Sequence, residues 1–150
     1  MQVLKYTDYA LRVLMYLGAS PEASVPAAQI AAAYDISPDH VAKAAKGLVQ
    51  LGVVKGTRGA GGGLSLAQPA ETIRIGAVVR RFEARRGPVE CFRTEAPACR
   101  IVSGCLLRGA FDRASEAFYR ELDRHSLADL LENRPTLVRL LAPRAQRPRA

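Results

Sequence analysis

The stretch ISPDHVAKAAKGLVQLGVVKGTRGAGGGLSLA, residues 36–67, decides the fold because a helix signal and a hairpin signal follow each other directly. Ser37 is suited to cap a helix N-terminus, and Pro38 suits the first helical position, where its missing N–H costs nothing. The helix that follows has an apolar and a polar face. Its apolar stripe is Val41, Ala44, Ala45 and Leu48, and its polar face carries Asp39, Lys43, Lys46 and Gln50.

The second part of this stretch predicts a β-hairpin, residues 53–66, which we call the wing. Two apolar runs, Val53 to Lys55 and Leu64 to Leu66, flank a tip rich in glycine. Glycine allows positive φ and a close approach of the backbone to another surface, and Arg58 at the tip suits a narrow DNA minor groove. A phosphate-binding P-loop is excluded, because that loop leads into a helix through Lys-Ser/Thr and these glycines lead into a strand pattern.

Two more helices are predicted upstream. The segment TDYALRVLMYLG, residues 7–18, has Thr7 as its candidate N-cap and a helical apolar spacing. The segment PAAQIAAAY, residues 26–34, predicts a short helix with Ile30 and the alanines facing inward. Two short helices joined by a tight turn, the second with a basic outer face, are typical of a helix-turn-helix. The apolar positions of the first helix are Tyr6, Ala10, Val13, Leu14 and Leu17.

Each of these parts alone has a simpler interpretation, since a helix with two lysines is often a solvated face and a glycine-rich turn is often only a turn. Their order within a basic chain favours a winged helix-turn-helix DNA-binding domain, residues 1–84. We expect Lys43 and His40 near base edges or phosphates of the major groove, Lys46 on a phosphate, and Arg58 in the minor groove. The full set of expected DNA-binding residues is His40, Lys43, Lys46, Lys55, Arg58, Gly61 and Gly62.

The composition is consistent with a cytoplasmic protein that binds a polyanion. The formal net charge is +8 and the pI is about 9.9, so counterion release from DNA would favour binding. No run of eighteen apolar residues predicts a membrane span, and charges in the first twenty residues argue against a signal peptide. No Ser/His/Asp or HExxH constellation is present, so we do not expect an enzyme.

The second half of the chain predicts helices and a loop. IRIGAVVRRFEARRG, residues 73–87, predicts a fourth helix, and residues 85–105 predict a loop that carries the cysteines. A long amphipathic helix from about Ser103 to Asp123 has too little chain of its own to pack against, which indicates dimerisation. Its apolar seam is Leu107, Ala110, Phe111, Ala114, Phe118 and Leu122.

The dimerisation element, residues 103–133, is expected to end in a short helix opened by a Ser126 and Asp129 capping box. Residues 134–150 are assigned to a C-terminal segment whose basic tail, APRAQRPRA, is expected to be disordered. The expected fold class is therefore mainly α with a small β-hairpin wing.

All three cysteines of the chain lie close together, as Cys91, Cys99 and Cys105, in a C-x7-C-x5-C arrangement. An odd number of clustered cysteines in a reducing compartment indicates metal binding or reactive thiols over a disulfide framework. The spacing is not the C-x2-C of ferredoxins, so zinc, a redox thiol switch and an iron-sulfur cluster all remain compatible with it. A small iron-sulfur electron carrier is a further alternative, although it would have no use for a recognition helix and a wing.

Three motifs give the chain a family resemblance: KYTDYALRVLMYL at residues 5–17, the stretch 36–67, and ECF at 90–92 followed by Cys99 and Cys105. They resemble the Rrf2 family of bacterial winged-helix regulators from Met1 to about Leu131. GAGGGLSLA is typical of the family, whereas ECF, DHVAK and Asp8 are similar to its nitric-oxide-sensing branch. The resemblance implies a homodimeric repressor on palindromic promoter DNA. It also implies one iron-sulfur cluster per subunit, 4Fe-4S favoured over 2Fe-2S, whose nitrosylation releases the DNA.

The resemblance also implies the ligands of that cluster. The three cysteines would supply thiolates, and Asp8 of the partner subunit would be the fourth ligand, an oxygen donor that is displaced more easily than sulfur. The residues alone favour a local role for Asp8, as an acid in the first turn of a helix that pairs with Arg12, four residues on. His125, at the end of the long helix, is the runner-up ligand, although a lone histidine there is more often a helix-end residue.

Overall fold

Six α-helices and a two-stranded hairpin make up the part of the chain that the computed structural model describes, residues 3–20, 22–57, 59, 62–84, 87, 89–92 and 99–142. This confirms the mainly α fold with a hairpin wing. Short 3-10 turns lie at Ala70–Thr72, Glu90–Phe92, Val102–Gly104 and Asp129–Leu131. The helices are α1 (Lys5–Ala19), α2 (Ala27–Tyr34), α3 (Pro38–Gln50), α4 (Ile75–Glu83), α5 (Leu106–Leu122) and α6 (Arg134–Leu141), and the strands are β1 (Val54–Gly56) and β2 (Leu64–Leu66).

The recognition helix α3 packs on α1 and α2 through the stripe that its sequence predicts. Ser37 caps it as expected, accepting a hydrogen bond from the Asp39 amide at 3.3 Å, and Pro38 is the first helical residue. Burying the stripe places the opposite face in solvent, which confirms the two-faced helix. The buried residues of α3 are Val41, Ala44, Ala45 and Leu48.

The wing is an antiparallel pair in which Val54 lies opposite Leu66 and Gly56 opposite Leu64. The first strand thus runs one residue later than the sequence predicted. Val25, in the loop between α1 and α2, extends the pair, because its amide and carbonyl exchange hydrogen bonds with Leu64 at 2.9 and 2.8 Å. This bridge ties the wing to the helix-turn-helix.

The N-cap prediction for Thr7 is wrong. α1 begins at Lys5, and Thr7 is fully buried in its first turn, where the hydroxyl donates to the Glu83 carboxylate of α4. The same carboxylate accepts the Leu4 amide at 2.9 Å. An anionic group 79 residues away therefore satisfies the helix N-terminus in place of a local cap.

The other end of α1 is held by the C-terminal half of the chain. The Arg134 guanidinium, at the start of α6, donates to the carbonyl oxygens of Ala19 and Ser20 at 3.0 and 3.1 Å. A cation at helix C-terminal carbonyls is stabilising. The sequence did not predict a helix at 134–141. Of the tail predicted to be disordered, residues 142–150, all but Ala142 lies outside the described part of the chain.

α4 and α5 cross closely, and no residue of α5 is buried. Gly76 permits the crossing, because a Cβ there would collide with the Tyr119 carbonyl and lie 2.5 Å from Asp123. Arg80 fastens the joint through ion pairs to Glu116 and Asp123 at 2.7 and 3.2 Å. The long helix is thus present as predicted, and most of its surface is free.

After α5 the chain returns to the domain. The Leu127 amide bonds the Ile73 carbonyl at 2.9 Å, and the Leu127 side chain is fully buried. The predicted capping box is present, because the Ser126 amide donates to Asp129 at 2.7 Å and the Asp129 amide donates to the Ser126 hydroxyl at 3.2 Å. It opens a 3-10 turn at Asp129–Leu131.

Candidate DNA-binding and cluster-binding sites

Three of the predicted DNA-binding side chains share one exposed face of α3. His40, Lys43 and Lys46 follow at intervals of three residues, so they lie above one another along the helix. Lys55 is exposed on β1. The recognition helix therefore presents two cationic groups and an imidazole to the same side, which is the donor chemistry that phosphates and base edges accept.

The tip of the wing is closed by its own backbone. The Gly62 amide donates to the Gly59 carbonyl at 2.9 Å, and Gly59 has a φ of +99°, which side-chain-bearing residues rarely adopt. Gly63 is required for a different reason: a side chain has no space there, because a Cβ would lie 2.7 Å from the Val25 backbone. The predictions for Arg58 and Gly61 fall on residues outside the described part of the chain.

Two tyrosines of α1 support the recognition helix from behind. The Tyr9 ring stacks on His40 with ring centroids 5.3 Å apart and an interplanar angle of 29°. The Tyr6 hydroxyl donates to the Lys43 carbonyl at 3.1 Å. The sequence predicts Tyr6 only as an apolar position, and no role was predicted for Tyr9. The signal that could have found them is their spacing of three residues, which places both on one face of α1.

Asp8 lies between these tyrosines in sequence and pairs with Arg12. The Arg12 guanidinium donates to the Asp8 carboxylate at 2.9 Å, and the Asp8 side chain is 47% exposed. Arg12 also lies 5.6 Å from the centre of the Tyr34 ring. Burial raises the pKa of Tyr34 to about 12, against the opposing effect of Arg12. Asp8 thus makes the local pair that the residues alone suggested, and it remains accessible from outside.

The three cysteines are free thiols that precede α5 in the chain. Cys91 lies in the turn Glu90–Phe92, Cys99 is exposed, and Cys105 immediately precedes α5. No side chain of the described residues caps this helix N-terminus, and a helix N-terminus favours an anionic group such as a metal-bound thiolate. The donor chemistry therefore fits an iron-sulfur cluster. Within the described residues of one chain, no three His, Cys, Asp or Glu side chains form a group that could hold a metal ion.

The surroundings of the cysteines are apolar and basic. Leu106 and Leu107 are 90% and 64% exposed, and Ile101 is 66% exposed. Arg108 lies 5.5 Å from the centre of the Phe92 ring, which connects the turn of the first cysteine to the first turn of α5. His125 follows the other end of α5, so within one subunit it lies about 25 Å along the helix from Cys105.

Comparison with known proteins shows what kind of molecule carries these features. Residues 3–133 match the Rrf2 family model, described as an iron-dependent transcriptional regulator. The HTH-type transcriptional regulator NsrR of Geobacillus kaustophilus is 46% identical over 96% of this chain and 99% of its own length. The regulator of the same name from Halalkalibacterium halodurans is 39% identical over 94% and 97%.

The fold agrees with this assignment. The structure of CymR, the global cysteine regulator of B. subtilis, matches with a TM-score of 0.67 and 26% identity over 89% of this chain and 98% of its own. No described helix is long and apolar enough to cross a membrane. A winged helix-turn-helix with a basic recognition face, together with a family match over most of the chain, leads to one assignment: the chain belongs to the Rrf2 family of DNA-binding transcriptional regulators.

Proposed function

We propose that the protein is a homodimeric repressor that responds to nitric oxide through an iron-sulfur cluster and binds a palindromic promoter site. The observation that carries this proposal is the combination of the recognition helix and wing with three free cysteines before α5. The 46% identity to a regulator named NsrR supports it, as does the resemblance of ECF, DHVAK and Asp8 to the nitric-oxide-sensing branch.

The free surface of α5 supports the dimer. None of the 17 residues of α5 is fully buried, and Leu107 of its apolar seam is 64% exposed, whereas Phe118 and Leu122 pack partly against the core. Covering such a seam with a second copy of the same helix removes apolar surface from water, and two-fold symmetry suits two half-sites on DNA.

Cys91, Cys99 and Cys105 of one subunit and Asp8 of the other would hold the cluster. Asp8 is half exposed, so it is available to a partner. Arg12 competes for its carboxylate, and an oxygen ligand with such a competitor is readily displaced. When bound, the cluster supplies irons that react with nitric oxide, with a 4Fe-4S centre favoured over 2Fe-2S. His125 is the alternative fourth ligand.

DNA would be bound by the exposed face of α3 and by the wing. His40 and Lys43 would reach base edges or phosphates of the major groove, and Lys46 would neutralise a phosphate. On the wing, Lys55 and Gly62 would approach the sugar-phosphate backbone of the DNA. Arg58 with Gly61 would enter the minor groove. A cluster intact in both subunits would hold the two recognition helices at the spacing of the half-sites.

The test uses anaerobically purified protein in three states: cluster intact, treated with nitric oxide, and stripped of iron. Fluorescence anisotropy with promoter DNA should show tight binding in the first state and binding at least about tenfold weaker in the other two, a difference of about 1.4 kcal/mol. Visible absorption with iron and sulfide content reports the cluster. Equal affinity in all three states would refute the proposal.

Matched variants locate the cluster. Cys105→Ser should yield colourless protein that binds DNA like the stripped form, whereas Ser103→Ala, an exposed neighbour two residues away, should stay brown and switch normally. A colourless wild type that contains zinc, or one that switches by forming a disulfide, would instead support a zinc or thiol switch.

A further inference from the structure

The first turns of α1 connect the candidate ligand Asp8 to the recognition helix. Asp8 is flanked by Tyr6 and Tyr9, and both tyrosines contact α3, one through the Lys43 carbonyl and one through the His40 ring. Both of these residues belong to the exposed DNA-binding face. The part of α1 that would hold the cluster is thus the part that touches the helix that would hold DNA.

The contacts of Tyr6 restrict movement of α1 relative to α3. The Tyr6 ring packs against Phe82 of α4 with centroids 5.0 Å apart, and a Cβ at Gly47 would collide with the Tyr6 hydroxyl. The hydroxyl therefore lies directly on the α3 backbone. Close-packed contacts of this kind transmit displacement, because interiors are dense and do not deform continuously.

α1 itself is held as a rigid unit. The Glu83 carboxylate closes its N-terminus and Arg134 closes its C-terminus, and one face of the helix lies in the core. A force on Asp8 from a bound cluster would therefore move α1 as one body, and Tyr6 and Tyr9 would move with it. A purely structural role for the tyrosines would stabilise α3 equally whether or not Asp8 is engaged.

We propose that Tyr6 and Tyr9 are positioning residues that couple engagement of Asp8 to the placement of His40 and Lys43. This rests on the proposed function, since it names how the state of that site reaches the DNA-binding face. Because Asp8 would be contributed to the cluster of the other subunit, each recognition helix would respond to its partner's cluster. A coupling of this kind is a difference in DNA affinity between two states.

The experiment measures, for each variant, the ratio of DNA affinity with the cluster intact to DNA affinity with the cluster removed. Tyr9→Leu removes the stack on His40 and keeps an apolar side chain, and Tyr6→Phe removes only the hydroxyl bonded to Lys43. Each should lower the ratio about two- to tenfold, the range of one lost aromatic pair or hydrogen bond. The cluster's visible spectrum and the melting temperature should stay close to those of the wild type.

Tyr16→Phe is the matched control. It removes a hydroxyl from the same helix, but that hydroxyl accepts its hydrogen bond from Gln29 of α2 at 3.2 Å. Its ratio should equal that of the wild type. Equal loss of DNA affinity in both states, or an unchanged ratio in both tyrosine variants, overturns the coupling alone. A wild-type ratio of one overturns the proposed function, and the coupling with it.

Discussion

The two halves of the molecule differ in how much of their surface they bury. The buried residues of the first half run from Thr7 to Glu83 and form one core beneath α3 and the wing. In the second half, among the described residues from 87 to 142, only Ser126 and Leu127 are buried, and α5 contributes none. The core thus lies almost entirely in the first half, whereas most side chains of the described second half are exposed within one subunit.

This difference suggests how the proposed switch is built. Few of the buried side chains come from the second half, so we expect the core beneath α3 to keep its packing when the sensing site changes. The exposed N-terminal part of the α5 seam, around Leu107, would be covered by a second subunit, and its arrangement can therefore differ between two states of the dimer. The joint between the halves is the α4 and α5 crossing, together with the return of Leu127 to the core.

The largest expected effect is the loss of stability in Leu48→Ala, which we compare with the loss of dimer affinity in Leu107→Ala. Leu48 is fully buried in α3, whereas Leu107 is 64% exposed on α5. Leu48→Ala should lower the free energy of unfolding by about 2–5 kcal/mol at any protein concentration, because it leaves a cavity. Leu107→Ala should instead weaken dimerisation by at least about tenfold and affect unfolding only through it.

Urea unfolding at two protein concentrations and sedimentation measure these effects. A concentration-independent loss at Leu107 as large as that at Leu48 would contradict the contrast, because it would mean that the seam is already covered within one subunit.

A smaller effect is expected at the joint. Gly76→Ala should lower the free energy of unfolding by about 1–3 kcal/mol, because the added methyl forces α4 away from the Tyr119 carbonyl. Gly109→Ala is the matched control within α5, where the new Cβ would meet only the Arg113 guanidinium at an ordinary 3.5 Å. That change should stabilise the protein by up to about 1 kcal/mol through helix propensity. Thermal unfolding that shows the same sign for both would argue against a tight joint.

The sequence predicts what depends on neighbouring residues. The α3 stripe, its Ser37 cap and the Ser126 and Asp129 box all follow from spacings of a few positions, and the structure confirms them. The prediction for Thr7 was wrong because its partner, Glu83, is 76 residues away, and a local sequence pattern does not predict a contact with a carboxylate of another helix. The first strand begins at Val54 and not at the predicted Val53 for a similar reason, because the register is set by the pairing of Val54 with Leu66.

The candidate sites divide in the same way. The exposure of His40, Lys43 and Lys46 could be predicted, because it follows from the helical period of their own segment. The spacing of Tyr6 and Tyr9 places both on one face of α1, but their partners could not be predicted, because these depend on how α1 crosses α3. The ligand set of the cysteines stays a prediction, since its fourth member would come from another subunit.

A third prediction tests whether the first half is closed by its own contacts. Thr7→Val keeps the shape of the side chain but removes the hydroxyl that donates to the buried Glu83 carboxylate. It should lower the free energy of unfolding by about 1–2 kcal/mol. Thr136→Val, the same change at an exposed position of α6, should stay within about 0.5 kcal/mol. Equal losses in urea unfolding would show that Glu83 does not need Thr7.

The smallest effect is expected where the second half returns to the core. The Ser126 backbone amide, with a further contribution from its hydroxyl, holds the pKa of Asp129 below its usual range. A lowered folded pKa means that the charged form contributes stability above the unfolded pKa and that this contribution is lost as the pH falls through the folded pKa. Asp129→Asn should therefore be less stable than the wild type near pH 6, and the difference should shrink on acidification toward pH 3.

Ser126→Ala keeps the backbone donor, so most of the pH dependence should survive in urea unfolding of that variant. A difference between the wild type and Asp129→Asn that stays constant with pH would mean that Asp129 acts through shape and not charge, and the return to the core would then depend on the buried Leu127 side chain alone.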